Sequence, residues 1–75
     1  MYVEYDRRHS MEDNAVTIKN LLYKYSSVTI SAVEPYMANL SSIAMKLYNE
    51  RYCQVKVYTQ KQGLIIELES TLKIN

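Results

Sequence analysis

Cys53-Gln-Val-Lys-Val-Tyr58 and Leu64-Ile-Ile-Glu-Leu-Glu69 are two alternating segments joined through Gln60-Lys-Gln-Gly63. In the first, Cys53, Val55 and Val57 share one side and Gln54, Lys56 and Tyr58 the other. In the second, Leu64, Ile66 and Leu68 oppose Ile65, Glu67 and Glu69. Alternation of this kind marks strands with one buried face. Two such strands with a short link make a β-hairpin. The chain's single glycine, Gly63, lies in that link, where a positive φ is expected.

Outward from the hairpin the period changes. Tyr36, Leu40, Ile43, Ala44 and Leu47 recur at helical spacing, with Asn39, Ser42, Lys46 and Asn49 outside the stripe. Pro35 suits a first helical position, so this helix is expected over about residues 35–50. Before it, Val28, Ile30 and Ala32 alternate with Thr29 and Ser31 as a strand. Farther back, Met11, Ala15, Ile18, Leu22 and Tyr25, widened by Val16 and Leu21, predict a helix over about residues 11–25. Ser10 stands as its N-cap, with Asp13 three residues on. Met1-Tyr-Val-Glu-Tyr5 opens the chain as a short strand, with Val3 and Tyr5 on one face. The order is β-α-β-α-β-β. Right-handed crossovers then place both helices on one face of a four-stranded mixed sheet. This is an α+β two-layer sandwich, expected as a single domain over residues 1–75. Its outer sheet face carries Tyr2, Thr29, Tyr58 and Ile65.

Composition narrows the function. Apolar residues make up 48% of the 75, enough to fold, but a chain this short hides only about 60% of its unfolded surface. Its core supplies roughly 3–5 kcal/mol. Cys53 is the only cysteine and His9 the only histidine, so an internal disulfide and a four-ligand metal site are both excluded. A second subunit is the expected source of further burial. No apolar run exceeds three residues, as at Leu64-Ile65-Ile66, and the charged first ten residues do not read as a secretory signal. With an unpaired cysteine, a cytoplasmic location with no membrane partner is expected.

Candidate sites are few. Arg7, Arg8 and His9 form one basic cluster at a helix entrance, where guanidinium groups and free helix amides both suit phosphate. Lys19, Lys24 and Lys61 can extend it into a strip, or the cluster is a solvated loop partnered by Asp6, Glu12 and Asp13. The net charge of +1 advertises no polycationic surface. Eight tyrosines stand with no Phe or Trp. Tyr2 and Tyr58 can stack bases, but with Ile65 on the same face they read first as a contact surface, and Tyr52 is a second patch. Cys53 reads as a buried structural thiol. No constellation for catalysis is present and no cofactor is implied.

This element order, from about Tyr2 to Leu68, resembles the Alba (Sac10b-like) family of small archaeal nucleic-acid-binding proteins. Their domain shares its order with the C-terminal domain of bacterial translation initiation factor three. Val3-Glu-Tyr-Asp-Arg-Arg8 leading into Met11-Glu-Asp-Asn-Ala-Val16 sets Arg7 and Arg8 near the family's paired loop lysines. Asn49-Glu-Arg-Tyr52 is similar to its Asn-Arg-Phe helix end, with one residue extra. The family's basic, glycine-containing turn is here Ala32-Val-Glu-Pro35, and its long basic arm is cut to Gln60-Lys-Gln-Gly63. The resemblance implies a chromatin-associated homodimer, archaeal or viral, binding DNA or RNA along the backbone with little base readout. Arg7, Arg8, Lys19, Lys24 and Lys61 would serve as phosphate contacts. The alternative is an interaction module on the same fold that docks on a larger protein partner and has lost nucleic acid.

Overall fold

The computed structural model describes residues 1–60 and 63–72; Lys61 and Ile74 lie outside them. Six elements follow in the expected order: β1 (Tyr2–Glu4), α1 (Met11–Lys24), β2 (Ser27–Val33), α2 (Met37–Asn49), β3 (Cys53–Gln60) and β4 (Gly63–Ser70). They form an α+β two-layer structure with a mixed sheet of order β1-β2-β4-β3. β1 runs parallel to β2, and β4 pairs antiparallel with both β2 and β3.

The interior strands are the ones with the most fully apolar inner faces. Val28, Ile30 and Ala32 of β2 lie opposite Leu68, Ile66 and Leu64 of β4, and all six are buried. Ile18 and Leu22 of α1, and Leu40, Ile43, Ala44 and Leu47 of α2, close over them in one cluster that also takes in Cys53. Each large side chain so buried contributes about 1.5–3 kcal/mol of transfer free energy. A bond of 2.7 Å from the Ser70 hydroxyl to the Leu22 carbonyl ties the end of α1 to β4.

Three local expectations change. The buried line of α1 is Asn14, Ile18 and Leu22, flanked by half-buried Ala15 and Leu21, while Met11, Val16 and Tyr25 are exposed. The helix meets the sheet along an i, i+4 row that contains a polar residue, which apolar periodicity passes over. Pro35 does not begin α2. It lies in the preceding turn after a cis Glu34–Pro35 bond; Tyr36 is the N-cap and the helix starts at Met37. Gly63 has no positive φ, because it is already the first residue of β4 and pairs with Gln60 and Val33. A Cβ there would stand 3.1 Å from the Ala32 carbonyl oxygen, so close approach is what the position demands. Positive φ occurs instead at Arg51, at 67°.

Candidate nucleic-acid interface at the strand ends

Because β1 and β2 are parallel, their C-terminal ends emerge together, and the pairing of Val33 with Gly63 brings the start of β4 to the same end. The β1–α1 loop carrying Arg7 and Arg8 and the β2–α2 turn therefore lie side by side. The loop is held from beneath by Asn14. Its amide donates to the Asp6 and Ser10 carbonyls at 2.9 Å each, and its side-chain oxygen accepts from the Asp6 backbone N–H at 2.9 Å. Ser10 caps α1 as expected, its hydroxyl accepting from the Asp13 N–H at 3.0 Å.

Within this loop the two arginines differ. Arg8 donates through Nε and Nη2 to the two Asp6 carboxylate oxygens at 3.1 and 3.2 Å. Those bonds, with a third from the Arg8 backbone N–H, hold the Asp6 carboxyl down to about 2 and raise the Arg8 guanidinium above its ordinary value. His9 stands between Asp6 and Asp13, at 3.6 and 3.9 Å. Arg7 makes no ion pair among the described residues. It faces an open cleft of about 580 Å³ lined also by Glu4, Tyr5, Asp6, Ser31 and Tyr36.

Lys19 and Lys24 do not gather at this end. Lys19 lies on α1 with its ammonium 4.8 Å from the Tyr52 ring centroid, an interaction with the tyrosine that also raises its pKa. Lys24 closes α1 at the opposite end, roughly 20 Å from the helix start at 1.5 Å per residue. Lys61 falls outside the described residues. Tyr2, Tyr58 and Ile65 share the outer sheet face, but Tyr58 and Ile65 pair on β3 and β4 while Tyr2 sits at the far edge on β1. Exposed Val33 extends the Tyr58–Ile65 patch toward Gly63. Among the described residues, Glu4, Glu67 and Glu69 oppose Lys56 alone on that face, so it is acidic. Tyr52 packs from the helix side against the core, under Lys19, and is half-buried.

Sequence reasoning passed over Asn14, Val33 and the pairing of Tyr5 with Tyr36. The tyrosine rings stack at 5.5 Å between centroids, and Asn39 donates to the Tyr5 hydroxyl at 3.3 Å. Alternation sets Tyr5 on the inner side with Val3 and helical spacing sets Tyr36 in an apolar stripe, but neither pattern records that two residues 31 positions apart meet. Burial pushes the Cys53 thiol up to about 11. No group of metal-ligating side chains gathers among the described residues, and no helix is long and apolar enough to cross a membrane.

No protein-family model matches this chain, and no curated protein matches it. Among solved structures it is similar to ALBA1 from Trypanosoma brucei, whose crystal structure superposes with a TM-score of 0.75 at 21% identity, over 93% of this chain and 70% of that one. The fold is Alba-like. In this Alba-like fold, Arg7, Arg8 and the cleft beside them occupy the common end of β1 and β2.

Proposed function

We propose that this protein is a small nucleic-acid-binding module that works as a homodimer and contacts the sugar–phosphate backbone with little sequence readout. The observation that carries the reading is Arg7, an exposed guanidinium without a carboxylate partner among the described residues, on the loop entering α1 of an Alba-like fold. Phosphate is the complementary ligand for such a group. Arg8 is second in rank because Asp6 already neutralises it; Lys19 and Lys24 assist from α1, and Lys61 is a further phosphate contact on this reading. With the described cations spread over several surfaces of a chain of net charge +1, affinity is modest and lost quickly as salt rises.

Fluorescence anisotropy of labelled oligonucleotides across a salt series tests this. Arg7→Ala is expected to weaken binding to every sequence alike and to lower the log–log salt slope by about one. Wild-type protein that binds neither DNA nor RNA at low salt would overturn the reading.

A second reading rests on the outer sheet face. Its acidic character repels phosphate, while Tyr58, Ile65 and Val33 offer an apolar patch. On that reading the protein is a non-catalytic docking module for a larger protein partner.

A further inference from the structure

The cleft beside Arg7 has dimensions and a lining that the backbone reading leaves unused. Its volume of about 580 Å³ lies in the range of small-molecule sites. One wall is aromatic. Tyr5 and Tyr36 stack with 21° between ring planes, and both line the cleft while remaining half-buried, which leaves ring surface facing the opening. The bond from Asn39 holds the Tyr5 ring in place. At the mouth stand one free cation, Arg7, and one carboxylate, Glu4; the Asp6 charge is already met by Arg8.

We infer that this cleft receives one unpaired base of a single-stranded nucleic acid, the base stacking on the Tyr5–Tyr36 pair and the adjoining phosphate resting on Arg7. The inference depends on the nucleic-acid reading above and deepens it. A base in a duplex has both faces covered by its neighbours and cannot present one to the tyrosines without leaving the stack. Stacking needs only a π-face, so the cleft tolerates any base. Glu4 keeps the strand's phosphates on the Arg7 side of the opening.

Anisotropy with a short RNA strand, its duplex, and the same strand carrying abasic residues tests the proposal. Wild-type protein should prefer the single strand over the duplex by about five- to 150-fold, the range of one stacked base, and abasic substitution should remove that preference. Tyr36→Phe should keep it. Tyr36→Leu, with its fold checked by circular dichroism, should reduce single-strand affinity to the duplex level while Arg7 still matters. Equal binding of single strand, abasic strand and duplex, with Arg7→Ala weakening all three, would overturn the cleft and leave the backbone reading standing. No binding by the wild type would remove both. The abasic strand requires no change to the protein, so a misfolded Tyr36 variant does not leave the question open.

Discussion

Asn14 shows how one side chain sets a loop. Among the described residues it is the single buried polar group, 6% exposed, and its bonds hold Asp6 and Ser10 at either end of the arginine pair. Asn14→Ala leaves the Asp6 N–H and two carbonyls without this partner, at a cost of about 1–3 kcal/mol. Urea unfolding should show a lower midpoint with an unchanged slope. Asp6 gives a pH signature. Its carboxyl falls from 3.8 to about 2 through the Arg8 side-chain and backbone bonds and the nearby charges of Arg8 and His9. Between those values the unfolded chain binds more protons than the folded one, so stability rises with pH there. The contribution is present above the unfolded value and is lost as pH falls through about 2. Carboxyl NMR titration should place the Asp6 midpoint near 2, returning toward its ordinary value in Arg8→Ala. The Ser10 cap was legible because its partner is three residues away. Asn14 was not, because a search for apolar recurrence skips the polar member of a buried row.

At the scale of elements, the end of α2 turns on Arg51. The Tyr52 N–H reaches back to the Leu47 carbonyl at 2.9 Å and the Arg51 N–H to Tyr48 at 3.0 Å, closing the helix with Arg51 left-handed. This is the Schellman pattern, with Tyr52 packing inward beyond it. A left-handed non-glycine residue costs roughly 1–2 kcal/mol, partly offset by the greater freedom a glycine has in the unfolded chain. Arg51→Gly should therefore raise stability by about 0.5–1 kcal/mol, read as a higher thermal midpoint. The residue extra in Asn49-Glu-Arg-Tyr52 belongs to this turn. Alternation and helical spacing placed all six elements because each has a periodic face, and the short link made β3 and β4 neighbours, but nothing local records that β4 also pairs with β2. Sheet order depends on contacts such as Ile30 with Ile66, 36 positions apart. Gly63 was found, yet for the wrong demand: the Ala32 carbonyl crowding it belongs to another strand.

For the molecule as a whole, the charges sort by surface. The strand-end loop holds Arg7 and Arg8, the outer face is acidic, and Lys19 and Lys24 lie along α1. A dimer through the outer face would bury Tyr58, which is 50% exposed, with Ile65 and Val33 beside it. Tyr58→Asp should then reduce the sedimenting mass to that of one chain; an unchanged mass places any association elsewhere. The position of β4 bears on how the chain comes to be folded at all. β4, the last of the described strands in chain order, is interior, with β2 on one side and β3 on the other. Until Ser70 has left the ribosome, β2 has no antiparallel partner and the apolar stripes of α1 and α2 lack half their floor. Until β4 arrives, the nascent domain keeps those hydrophobic residues open to solvent and to chaperones.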